Sequence, residues 1–216
     1  MNKNKSILIL CIILFLYGCN ANKTPAQANG DASQITRSTD ESPLQKINSD
    51  TEEKNRFDLL MYGLGIAQKN LKIKYKDDAK YLVSINKYEI FRTWILDKSQ
   101  IQKQKELSKA FINAYNCLDK KVKTLSNHMT IMQYVENAFA EYLYNEYKTN
   151  SKYDARLYGN KTGGFPANHV SSFFESLIHT LIKDHDTNEK KFQIMRDILE
   201  DKNSRIYKNI SKLLTD

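Results

Sequence analysis

Cysteine, proline, glycine and tryptophan are all scarce: three, three, seven and one in 216 residues. Three cysteines cannot build a disulfide framework. So few glycines and prolines leave an all-β sandwich without the turn residues it needs every ten or so positions. Strict period-two alternation of apolar and polar residues is absent as well. The longest unbroken apolar run, Ile7 to Leu16, is about half of the roughly 20 residues a membrane-spanning helix requires. Arginine is rare too, outnumbered by lysine 27 to 6. That bias reflects an AT-rich coding sequence as readily as a binding task. What is present is a globular composition, 41% hydrophobic and 27% charged, on a chain long enough for one domain with a sizeable core.

The first residues read as an address. Lys3 and Lys5 precede the apolar run, and Tyr17-Gly18-Cys19 closes it, the order of a secretory signal peptide. Leu16-Tyr17-Gly18-Cys19 resembles a bacterial lipobox, with a large aliphatic residue three places before the cysteine and a small one just before it. The resemblance implies removal of residues 1–18, lipid on Cys19, and attachment to a membrane through that lipid. Tyr17 departs from the usual small residue, as the looser lipoboxes of spirochaetes do. The competing reading is an ordinary export signal with an incidental cysteine. With Cys11 lost and Cys19 lipidated, Cys117 is left as the sole thiol. Its place beside Leu118 in a helical pattern predicts a buried, inert side chain and a monomer, with a disulfide-linked dimer as the alternative.

Residues 19–50 are rich in Asn, Ala, Gln, Ser and Thr, with isolated Ile35, Leu44 and Ile47. That composition buries too little apolar surface to offset ordering entropy, so a disordered N-terminal tether is expected. Residues 51–216 form the expected domain, an all-α single bundle of six or seven helices. Phe57, Leu60, Met61, Leu64, Ala67 and Leu71 make the first stripe, with Asp50 and Glu53 at capping-box distance ahead of it. A second segment runs from Asp78 to Leu96, with Leu82, Ile85, Ile90, Phe91, Trp94 and Ile95 turned inward and Asp77 or Asp78 as its cap. A third follows Ser99 with Ile101, Leu107, Phe111, Tyr115, Leu118, Val122 and Leu125. A fourth spans Thr130 to Tyr147. The glycines and proline of residues 150–168 mark a long loop. Val170 to Ile182 then forms a strongly apolar helix, and two short helices around Phe192–Leu199 and Ile206–Leu214 end the chain.

Catalytic and metal signatures are missing. His128, His169, His179 and His185 make no i, i+4 pair, and no His-Glu-x-x-His run occurs, so no metal ligand is nominated. His179, among Ile178, Leu181 and Ile182, reads as a hydrogen-bonded core histidine. Gly159-Asn160-Lys161-Thr162-Gly163-Gly164 lacks the order of a phosphate loop, and Gly63-Leu64-Gly65 fails the dinucleotide fingerprint. Small residues at 63 and 65 suit close helix approach instead. No catalytic residue and no cofactor is nominated, and the expectation is a protein that is not an enzyme. An enzymatic reading would need a polar pocket near His169 and the glycine loop.

Charge carries more information. From Phe57 onward there are 26 basic and 19 acidic residues, a net +7. Lys69, Lys72, Lys76 and Lys80 follow one another at helical or turn spacing and are the candidate polyanion-binding residues. Lys120, Lys121 and Lys123 form a second cluster, Lys190 and Lys191 a third. Such clusters bind anionic polymers by counterion release; for an exported protein a glycosaminoglycan or an acidic host or vector protein is within reach and nucleic acid is not. A solvated lysine-rich helix face is the plainer alternative. Tyr142, Tyr144, Tyr147, Tyr153 and Tyr158 gather around the loop, where tyrosines serve either recognition or packing.

The Lys/Asn-rich start, the Leu16–Cys19 motif, the polar tether and the lysine-rich helical body resemble plasmid-encoded outer-surface lipoproteins of Lyme-disease spirochaetes. Phe91-Arg92-Thr93-Trp94-Ile95-Leu96-Asp97, then Gln104-Lys105-Glu106-Leu107 and Ala110-Phe111, are similar to the virulent-strain-associated group of these. The resemblance of the helical body covers about a third of the chain. It implies a lipid-anchored, surface-exposed outer-membrane protein that engages host or tick-vector macromolecules, and it carries over no catalytic residue. A periplasm-facing lipoprotein with a structural or chaperone-like role is the alternative.

Overall fold

The computed structural model describes residues 43–125, 128–139, 155–159, 168–183 and 187–215. Cys19, most of the stretch read as a tether, most of the 150–168 loop, Tyr142 to Tyr153 and His185 lie outside the described residues. The chain divides into Met1–Asp40 and Glu41–Asp216, and the described residues all belong to the second unit.

Among the described residues there are seven α-helices and no strand, an all-α bundle. Helix α1, Pro43–Lys74, is 32 residues long. It opens on a proline, which loses no hydrogen bond in the first helical position. The helix therefore starts ahead of the boundary expected at residue 50. Asp50 and Glu53 are not its cap. Their carboxylates turn toward the third helix instead, where Lys105 Nζ donates to Asp50 at 3.1 Å and Lys109 Nζ lies 3.6 Å from Glu53.

The later helix starts follow local chemistry. Asp78 caps α2 (Ala79–Leu96) by accepting from the Tyr81 amide at 2.9 Å. Asp97 accepts from the Ser99 amide and starts a 3-10 turn, Lys98–Gln100, that leads into α3 (Ile101–Lys123). Thr130 and Gln133 form a reciprocal capping box at the start of α4 (Ile131–Ala138). Asn168 caps α5 (His169–Leu181), Thr187 caps α6 (Asn188–Glu200), and Ser204 caps α7 (Arg205–Ser211). Each side chain satisfies an amide that the helix itself leaves unpaired.

Helix α1 is the spine, packed against α3, α4 and α5. Its fully buried Leu60, Leu64, Ala67 and Leu71 meet Leu107, Phe111 and Leu118 of α3 and Phe174, Leu177 and Ile178 of α5. A Cβ at Gly63 would stand 2.4 Å from the Phe174 ring, so the ring rests directly on the α1 backbone, as the small residue there suggested. Phe174 in turn packs at ring-centroid distances of 5.0 Å from Phe173, 6.3 Å from Phe139 and 6.5 Å from Phe111. Helices α6 and α7 complete the bundle by packing on α3 and α5.

Two residues expected inward are not. Ile90 is 64% exposed and Ile101 61%. On α2 the buried positions are Ile85, Tyr88, Phe91 and Ile95. Tyr88 takes the inward face, which places Ile90 about 200° round the helix from it. Ile101 sits at the first position of α3, beside the corner rather than within the core.

Asn168 does a second job. Its Oδ1 accepts from the Ser171 amide at 2.8 Å while its Nδ2 donates to the Ala138 carbonyl at 2.6 Å, joining the start of α5 to the end of α4. Nearby, the Tyr134 hydroxyl donates to the Leu157 carbonyl at 2.8 Å, and the buried Tyr158 ring stacks 5.0 Å from that of Tyr134.

Candidate functional site

The four candidate lysines separate into two pairs. Lys69 and Lys72, three apart on α1, line a cleft of about 320 Å³ between α1 and α2. Lys76 lies in the turn after α1 and Lys80 in the first turn of α2; both are exposed and neither lines the cleft. From the facing helix, Glu89 and Arg92 complete the cleft, with Gln68 and Gly65 on the α1 side.

Glu89 is engaged. Lys72 Nζ donates to its Oε2 at 2.7 Å, and Gln68 Nε2 to the same oxygen at 3.4 Å. The Lys72 hydrogen bond, then its charge, holds the Glu89 carboxyl below the usual glutamate range, so it stays ionised. Arg92 acts on Glu89 only through its charge, from beyond ion-pair distance. Its Nε is buried without a hydrogen-bond partner, and among the described residues no carboxylate lies within 4.0 Å of Arg92 or Lys69. The guanidinium lies over bare helix backbone: a Cβ at Gly65 would stand 3.4 Å from Arg92 Nη2. At the edge of the cleft the Tyr62 hydroxyl donates to Glu136 at 3.0 Å, and burial followed by that bond pushes the phenol above its ordinary value.

Arg92, Glu89 and Gln68 were not among the residues nominated from sequence. A signal was present, since Arg92 is one of six arginines and directly follows the core residue Phe91. The other basic clusters do not form comparable sites. Lys120, Lys121 and Lys123 occupy the last turn of α3, where cations complement the helix dipole, and Lys123 pairs with Asp119 at 2.6 Å. Lys191 is buried while Lys190 is exposed.

A second polar group lies where α1, α2 and α5 meet. Lys74 Nζ stands 3.9 Å from Glu175 Oε2, and Glu175 Oε1 is buried without a partner. Burial raises the Glu175 carboxyl, with Lys74 opposing it. One turn on, His179 Nδ1 shares a hydrogen bond of 3.0 Å with the Tyr81 hydroxyl. Burial lowers this histidine, and Lys74 and Lys183 lower it further. The Tyr75 ring packs 4.0 Å from Tyr81. His179 is thus the hydrogen-bonded histidine its setting suggested.

A third feature is a groove of about 460 Å³ at the corner between α1 and the α2–α3 connection. Phe57, Leu96 and Ile101 line it, and Asp50, Glu53, Lys54, Asp58 and Lys105 form its charged rim.

The remaining residues singled out from the sequence do not gather into one site. Cys117 is buried at 4% exposure, and burial pushes its thiol upward against a hydrogen bond with Tyr207. His128 is exposed with φ 51°. His169 packs on Gly159, whose φ of +86° is a glycine conformation and where a Cβ would stand 2.3 Å from the imidazole. No group of three or more His, Cys, Asp or Glu that could hold a metal occurs among the described residues. Compared with protein-family models, with curated proteins and with solved structures, the chain matches none.

Proposed function

We propose that this protein is an outer-surface bacterial lipoprotein whose helical body is a non-enzymatic module for binding host or tick-vector macromolecules. The observation that carries the reading is Leu16-Tyr17-Gly18-Cys19, placed after a basic start and an apolar run and followed by a polar stretch. The body supports it. Among the described residues no helix is long and apolar enough to cross a membrane, so a lipid on Cys19 would supply the attachment. A body with net +7 from Phe57 onward and an open basic cleft is suited to acidic partners.

Labelled palmitate and a membrane-impermeant amine reagent on intact cells test the two halves of this reading. Wild type incorporates palmitate and Cys19→Ala does not. Exposed lysines such as Lys76 and Lys80 react from outside in intact cells. A chain that takes up palmitate yet is labelled only after the outer membrane is opened faces the periplasm and serves the alternative, envelope-maintenance role. Equal palmitate uptake by Cys19→Ala removes the lipoprotein reading altogether.

A further inference from the structure

We propose that the α1–α2 cleft is a receptor for one tetrahedral oxyanion, the sulfate or phosphate ester of a ligand, gripped between Arg92 and Lys69. The unmatched donor is the starting point. Guanidinium is always charged and carries five N–H donors, and a buried donor left unpaired is costly. Arg92 Nε is such a donor; it is itself covered, and since Arg92 lines the cleft a ligand oxygen there would engage the guanidinium fork and turn it toward pairing.

The charges point the same way. The cleft lining holds Lys69, Lys72 and Arg92 against Glu89 alone. Glu89 is hydrogen-bonded to Lys72 and Gln68, with Arg92 acting on it only at longer range, so three cations against one carboxylate leave the lining a net +2, with Arg92 and Lys69 outside any ion pair among the described residues. These two come from facing helices. A carboxylate offers two oxygens and a sulfate or phosphate ester three, so the tetrahedral group is the better match to cations on both walls of the cleft. A Cβ at Gly65 would touch Arg92 Nη2, so glycine there lets the guanidinium settle on the α1 wall, and the volume of about 320 Å³ is at the lower end of ligand pockets, enough for an ester group and a small carrier. Lys76 and Lys80 stay outside, which separates this site from diffuse attraction along a lysine face. The inference concerns the folded body alone and fails or holds independently of lipidation and surface display.

The test uses the purified full chain in a neutral detergent, labelled with ¹⁵N, following the Arg92 Nε–Hε resonance. Sodium sulfate, sodium phosphate, a heparin-derived disaccharide, glycerol 3-phosphate and sodium acetate are added in turn, with sodium chloride adjusted to hold ionic strength constant. The resonance moves saturably with the tetrahedral anions. Arg92→Gln, followed through the backbone amides of Gly65 and Gln68, weakens binding at least tenfold, and Gly65→Ala does the same through the Arg92 resonance without loss of fold. Lys76→Gln and Lys80→Gln stay within twofold. Tighter binding of the disaccharide than of glycerol 3-phosphate identifies a sulfated sugar as the source, and the reverse order a phosphate ester. A resonance that does not move, a linear response, or equal loss in the Lys76→Gln and Arg92→Gln variants overturns the site. Acetate binding as tightly as sulfate overturns the tetrahedral assignment.

Discussion

Gly63 and Gly65 lie two residues apart in α1, and the fold predicts opposite consequences for replacing each by alanine. In a helix interior the exchange removes glycine's excess backbone entropy, a gain of about 1 kcal/mol. At Gly65 the new methyl would sit 3.4 Å from Arg92 Nη2, the movable end of a long side chain, so most of the gain survives. At Gly63 it would stand 2.4, 2.4 and 2.8 Å from three ring atoms of Phe174, where carbon atoms prefer about 3.5–4.0 Å. The ring cannot easily yield, being fully buried among Phe111, Phe139 and Phe173. Overpacking of this kind costs about 1–3 kcal/mol. Three simultaneous clashes place it at the upper end, leaving a net loss of about 2 kcal/mol. For a domain of this size each kcal/mol moves Tm by roughly 2–4 °C, so Gly63→Ala lowers Tm by about 4–8 °C while Gly65→Ala raises it by about 1–4 °C. Thermal and urea melts followed by circular dichroism measure both. Adding Phe174→Leu to Gly63→Ala restores part of the loss, giving a coupling energy of about 1 kcal/mol or more. Equal melting of the two single variants, or no coupling to Phe174, would refute this account of the α1–α5 contact.

Four further outcomes follow from the polar groups and the buried thiol. Burial raises the folded-state value of Glu175 above its ordinary 4.5, so its favourable contribution is present below that value and lost as pH rises through the folded one; Glu175→Gln therefore gains on wild type between pH 4 and pH 8, and a constant difference in urea midpoints would contradict it. His179 is lowered from 6.5, so its contribution is intact above that pH and declines as pH falls toward the lowered value, and His179→Gln flattens the loss of stability below pH 6.5. Thr130→Ala removes the half of the capping box in which its hydroxyl accepts from the Gln133 amide, leaves the half donated by its own backbone amide, and costs about 0.5–2 kcal/mol by urea denaturation, whereas Thr93→Ala, exposed in mid-helix, stays within about 0.5 kcal/mol. Cys117, buried and with its thiol raised, reacts with Ellman's reagent at the rate of unfolding in native buffer and at once in 6 M guanidinium; immediate native reaction would show the α3 core to be open.

The helices were legible because their signals are local. Apolar spacing marked the stripes of α1, α3 and α5, and Asp78 and Thr130 announced helix starts through side chains that reach only three residues ahead. The face of α2 was legible at Ile85, Phe91 and Ile95 but not at Tyr88. Its apolar residues fall on more than one side, and tertiary packing selects Tyr88 over Ile90 for the interior. The start of α1 was missed for a similar reason, since Asp50 and Glu53 fit a cap by spacing but are drawn to Lys105 and Lys109 on another helix. The basic cleft was half visible. Sequence spacing found Lys69 and Lys72 together with two lysines that the turn carries elsewhere. Arg92 and Glu89 join them only through the crossing of α1 and α2, which one-dimensional spacing does not record. Lys191, read as surface charge, is buried.

The bond from Asn168 to the Ala138 carbonyl has a consequence for how this protein can change over generations. It fixes residue 168 beside residue 138, and the Tyr134–Leu157 bond with the buried Tyr158 ties a third point to α4. Inheritance at these anchors is constrained by the body's own stability. A lineage that loses Asn168 or Tyr134 thus loses a tie to α4, and an engineer reshaping this end of the body keeps both residues.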